Sequence, residues 1–102
     1  MKEITGEVIS AAVARLCIEA NQKLPEDVRA CIRGCRAREP WPVAQEVLDQ
    51  IIANFELAES QQVPICQDTG MACVFLEIGR DLHLEGDIYA AVDEGVRRGY
   101  RE

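Results

Sequence analysis

The stretch "MACVFLEIGRDLHLEG", residues 71–86, decides the fold class, because the hydrophobic period changes there. Residues 71–78 are almost continuously apolar and include Val74, Phe75 and Ile78. That pattern predicts a strand buried on both faces. Gly79, Arg80 and Asp81 then turn the chain, and Leu82-His83-Leu84-Glu85 alternates like a shorter second strand. Directly before the run stands "VPICQDTG", residues 63–70, which sets one cysteine between a proline and a turn.

Upstream of this change the period is helical. Ile4, Val8, Ala12 and Leu16 recur at one spacing, widened by Ile9 and Val13, and predict a first helix ending near Asn21. Pro25 followed by Glu26 and Asp27 reads as the start of a second helix, with proline in the first position and acids in the first turn. Val28, Cys31, Ile32 and Cys35 line one of its faces, and it is expected to fade through Gly34 toward Arg36 and Arg38. "EPWP", residues 39–42, breaks the pattern. After it, Val43, Val47, Leu48, Ile51, Ile52 and Phe55 predict a third helix to about Glu59, followed by the polar connection Ser60-Gln61-Gln62.

Downstream, Asp87 can cap a last helix carrying Ile88, Val92 and Val96. Gly95 and Gly99 share that side, which suggests close packing against a neighbour. Three helices, two strands and a helix make an α+β fold with a thin sheet. Two strands are not a self-sufficient sheet, so the chain is expected to be part of a larger domain.

Composition narrows the function classes. At 102 residues with 48% apolar and 28% charged residues, the chain has the balance of one ordered globular domain. A net charge of −7 argues against a nucleic-acid partner, which needs a concentrated basic face. The clusters Arg33/Arg36/Arg38 and Arg97/Arg98/Arg101 have acids close by and read as solvated helix faces. No apolar run reaches membrane-spanning length, and Glu3, Glu7, Arg15 and Glu19 interrupt the first twenty residues, so no membrane association and a cytoplasmic location are expected.

The five cysteines are read one at a time in a reducing compartment. Cys31 and Cys35, four residues apart on a helical stripe, are expected to be core thiols, and Cys17 and Cys73 likewise. His83, flanked by Asp81 and Glu85, reads as a surface residue, and Trp41 as a hydrophobic plug at a helix start. Cys66 differs by lying on a loop between a helix and an apolar run. Pro64 stiffens the approach, Asp68 can fold onto nearby backbone N–H groups, and Gly70 suits a tight turn. The turn gathers a thiol with Gln67, Asp68 and Thr69, and the residues alone leave packing and ligation both open. One thiolate cannot close a metal site, so a cluster would need cysteines from elsewhere. A redox pair of Cys66 with Cys73 has poor geometry for a disulfide.

"PICQDTGMACVFLEIG" followed by "DLHLEGDIYAAVDEGVRRGY" resembles the N-terminal part of the class I, iron–sulfur-dependent fumarate hydratase family, alpha subunit of the two-subunit form. "KLPEDVRACIRGC" and "AQEVLDQIIANFELAES" are similar in order and spacing, so the resemblance covers nearly the whole chain. L(+)-tartrate dehydratase alpha subunits share the CQDTG turn. The resemblance implies that residues 1–102 are the N-terminal segment of such an alpha-subunit-like domain. It implies a hydro-lyase of the tricarboxylic acid cycle, adding water to fumarate to give (S)-malate at a [4Fe-4S] cluster held by three cysteines. Carried over by position, Cys66 would be one ligand, and Gln67 and Asp68 would contact the dicarboxylate or the groups that orient it. No catalytic acid or base falls within the chain on this reading. The general base and the other two cluster cysteines would come from the rest of the alpha sequence and a beta subunit, in an oligomer. "RRGYRE" ends inside a helical pattern, so the chain is expected to be a fragment that is inactive alone. A helical binding or assembly module without chemistry is the alternative.

Overall fold

The helical periods become four helices and the change of period marks a short sheet in the computed structural model, which describes residues 2–66 and 70–101. The order is β1 (Lys2–Ile4), α1 (Gly6–Gln22), α2 (Glu26–Arg38), α3 (Pro42–Gln61), β2 (Leu82–Leu84) and α4 (Ile88–Arg101). The α+β description holds. Among the described residues, no helix is long and apolar enough to cross a membrane. The chain divides into two units, Met1–Glu19 with Asp68–Glu102, and Ala20–Gln67.

In the first unit β1 and β2 pair in parallel, with Lys2, Glu3 and Ile4 opposite Leu82, His83 and Leu84. This corrects the expected pairing. Ile4 belongs to a strand and not to the first helix, because Thr5 caps that helix, its hydroxyl accepting the Val8 N–H at 3.4 Å. Residues 71–78 form no strand, since their backbone groups find no partner among the described residues. They are not buried on two faces either: Met71 is 90% and Phe75 93% exposed. A strand's alternation nonetheless survives. Ala72, Val74, Leu76 and Ile78 line one wall of an open trough of about 520 Å³, and Ile88, Val92 and Val96 of α4 line the other.

The adjoining face of α4 packs on α1. Asp87 caps α4 through Oδ1, which accepts from Tyr89 N at 2.9 Å and Ala90 N at 3.4 Å. Ala91, Gly95 and Gly99, each four residues apart, are buried. A Cβ on Gly95 would lie 2.6 Å from Val13 Cβ, and one on Gly99 would lie 2.8 Å from Cys17 Cβ. The close approach therefore requires glycine at both places. Across the same contact the buried Ser10 hydroxyl donates to the Ala91 carbonyl at 2.6 Å. At the rim, the Arg98 guanidinium donates to both Glu7 carboxylate oxygens, at 2.8 and 2.9 Å.

In the second unit α2 lies against α3, joined by the short Glu39-Pro40-Trp41 connection. Arg29, Arg33 and Arg36 pair with Glu59, Glu56 and Asp49 at 2.7, 2.9 and 2.6 Å. As the arginines ascend in sequence their partners descend, so the helices run antiparallel. Phe55, only 2% exposed, anchors the contact, with the Arg33 guanidinium 5.3 Å from its ring centre. The face that α2 turns to α3 is thus Arg29, Ile32 and Arg36, and Cys31 and Cys35 are exposed, contrary to the core reading. Arginine heads paired with the acids of α3, one of them over Phe55, occupy the contact that the thiols were expected to fill. The helix also continues through Gly34 to Arg38, and Trp41, at the N-cap of α3, is 61% exposed instead of plugging the core.

Candidate functional site

Cys66 follows the C-terminal end of α3, and the backbone before it is held at several points. Gln62 ends the helix in the left-handed region at φ 55°. The Val63 N–H then bonds back to the Ala58 carbonyl at 3.0 Å, closing the helix end. The Gln22 side-chain amide donates to the Gln62 carbonyl at 3.0 Å. At Ile65 both backbone groups are used: its N–H donates to the Asn21 carbonyl at 2.7 Å, and its carbonyl accepts from Asn54 Nδ2 at 2.8 Å. The Ile65 side chain is half-buried and seats in a groove of about 290 Å³ with Leu24, Ile51 and Phe55.

This anchored backbone delivers an exposed Cys66 thiol. Gln67 and Asp68, expected to contact substrate, lie with Thr69 outside the described residues, and Gly70 resumes on the far side, exposed. Cys73 is exposed rather than packed. Cys17 is half-buried as expected, and burial pushes its thiol pKa up, which disfavours thiolate chemistry there. His83 is a surface residue on β2, in agreement with its sequence reading. Asn21, Gln22 and Asn54 are the residues that the sequence did not flag. Asn54 and Ile65 are eleven positions apart, and an amide on a polar helix face announces no target.

Among the described residues no three His, Cys, Asp or Glu side chains gather as a metal site. The donor set therefore fits one corner of an iron–sulfur cluster, an exposed thiol on an anchored loop, and does not form the cage. A model of the family described as fumarate hydratase (Fumerase) matches residues 10–102. The chain belongs to this family. Within the Fumerase family, it is 38% identical over 96 residues to a Methanocaldococcus jannaschii protein provisionally named L(+)-tartrate dehydratase subunit alpha. That alignment covers 92% of this chain and 34% of the relative. A Geobacillus stearothermophilus protein, provisionally named fumarate hydratase class I, is 36% identical over 97 residues, covering 91% of this chain and 19% of the relative. The chain thus spans about a third and about a fifth of the length of these two relatives. Both carry hydro-lyase names, and the family of this chain is a hydro-lyase family.

Proposed function

We propose that this chain is the N-terminal segment of an iron–sulfur hydro-lyase that hydrates fumarate reversibly to (S)-malate. The observation that carries the reading is the family match over residues 10–102, which contains Cys66 on its anchored loop. Cys66 is one of three thiolate ligands, and the other two come from sequence that the longer relatives possess. Gln67 and Asp68, next in the chain, meet the dicarboxylate or the groups that orient it. Such a cluster supplies a Lewis-acid iron for the substrate hydroxyl and carboxylate. The chain's own contribution is to present one ligand and the residues beside it. The general base and the carboxylate-clamping arginines belong to the remaining alpha sequence and a beta part.

A second reading has its own support. The Methanocaldococcus relative bears a tartrate dehydratase name, so L(+)-tartrate is the competing substrate. The experiment is a side-by-side kinetic comparison of fumarate, (S)-malate and L(+)-tartrate on the complete, anaerobically prepared enzyme. Fumarate and malate are expected to give the higher kcat/KM. A preference for tartrate would replace the substrate assignment, and turnover of none of the three would remove the hydro-lyase reading.

A further inference from the structure

We propose that Asn54 is a positioning residue for the Cys66 thiolate, fixing the direction in which the loop presents it. The inference rests on the reading of Cys66 as a cluster ligand. The Ile65 carbonyl that accepts from Asn54 Nδ2 at 2.8 Å belongs to the peptide plane containing the Cys66 nitrogen. Because that plane is rigid, holding its oxygen also sets the direction of the Cys66 N–Cα bond. Between this anchor and the sulfur only the φ and χ1 rotations of Cys66 remain.

The other anchors differ in kind. Asn21 holds the Ile65 N–H through its backbone carbonyl, which no side-chain replacement removes. Gln22 grips Gln62, three peptides earlier. Asn54 is thus the side-chain hydrogen bond on the peptide that carries Cys66. It projects from the same helix that fixes the start of the loop, where Val63 N–H bonds to the Ala58 carbonyl at 3.0 Å. Both ends of the segment are therefore referenced to α3. The Asn54 bond is solvent-exposed, so its contribution to global stability is small. Its consequence is geometric: a ligand held in its bound direction loses less freedom when metal binds, and partners that orient ligands typically change metal affinity 10- to 100-fold.

The test uses the complete enzyme with its cluster assembled anaerobically, and reads iron loss to a chelator through bleaching of the cluster absorbance. Asn54→Ala, and Asn54→Asp, which keeps the shape but removes the donor, are each expected to release iron about tenfold faster than wild type. Asn54→Gln, which restores an amide donor, is expected to recover part of the loss. Hydrogen exchange should quicken at residues 65 and 66 while the melting temperature stays that of the parent. Arg36→Ala, which removes the α2–α3 pair with Asp49 away from the groove that seats Ile65, is expected to leave iron release unchanged. Wild-type release in both Asn54→Ala and Asn54→Asp overturns the inference, as does equal acceleration in Arg36→Ala. Cys66→Ser separates the two levels. If it loses the cluster while the Asn54 variants behave as wild type, only the positioning role falls; if it keeps a full cluster, the ligand assignment falls and this inference with it.

Discussion

Gly95 and Gly34 are both helical glycines, and their surroundings give opposite expectations for the same substitution. A Cβ on Gly95 would stand 2.7 Å from the Ser10 carbonyl oxygen as well as against Val13, so backbone and buried side chain must both yield. Gly95→Ala is expected to destabilise the protein by about 1–3 kcal/mol, seen as a lower midpoint in urea unfolding. On Gly34 the nearest atom to a new Cβ is the Arg38 guanidinium, at 3.2 Å, which is the movable end of a flexible side chain. Gly34→Ala therefore gains helix propensity and is expected to stabilise by up to about 1 kcal/mol in the same assay. The sequence disclosed the close packing at Gly95 and Gly99, because small residues at helical spacing have few other uses. It misplaced Cys31 and Cys35, because a thiol and an aliphatic residue look alike on a stripe. Only the acids of α3 determine that arginines occupy the facing side.

At the scale of elements, α4 is tied down by charge on one edge and left open on another. Glu94 accepts from Arg97 and Arg98, and these bonds hold its carboxyl at a pKa of about 2 against the ordinary 4.5. Glu7, bound by the same Arg98, is lowered as well. A carboxylate with a depressed folded-state pKa contributes stability above its unfolded pKa and loses it as pH falls through the folded one. The contribution of Glu94 is thus present at pH 7 and fades between about 4.5 and about 2. Glu94→Gln should lower the unfolding midpoint at neutral pH, and the difference from the parent should shrink toward pH 2. A difference independent of pH would show that packing, not charge, sets the effect.

The open edge is the segment 71–78. Its almost continuous apolar run predicted a strand buried on both faces, but such a run reports which residues are apolar and says nothing of which edges are paired. The three-residue β1 was illegible because it is too short to carry a period. Among the described residues the backbone groups of segment 71–78 have no partners and Phe75 is 93% exposed, so on the proposed reading further chain covers the segment. In the complete enzyme its amides are expected to exchange as slowly as those of α4. Exchange at the rate of an open loop would show that the segment stays uncovered.

For the whole molecule, the donor count and the length set the expectation together. On the proposed reading the chain brings one ligand thiol, Cys66, and among its described residues no donor triad forms. Its relatives are three to five times longer than the part it matches, which leaves ample sequence for two further ligands and for the groups that bind carboxylates and move protons. Three thiolates held by one fold create a closed site, whereas a single exposed thiolate competes for iron with every thiol in solution. The 102-residue chain incubated anaerobically with ferrous iron and sulfide is therefore expected to retain no iron–sulfur absorbance after desalting and to hydrate no fumarate. The complete alpha and beta sequences treated identically should retain both, and should lose both in the Cys66→Ser variant. A stable cluster on the short chain would mean that its own cysteines form a site of another composition. Iron content per chain, measured with Cys31→Ser and Cys35→Ser, would then identify the ligands.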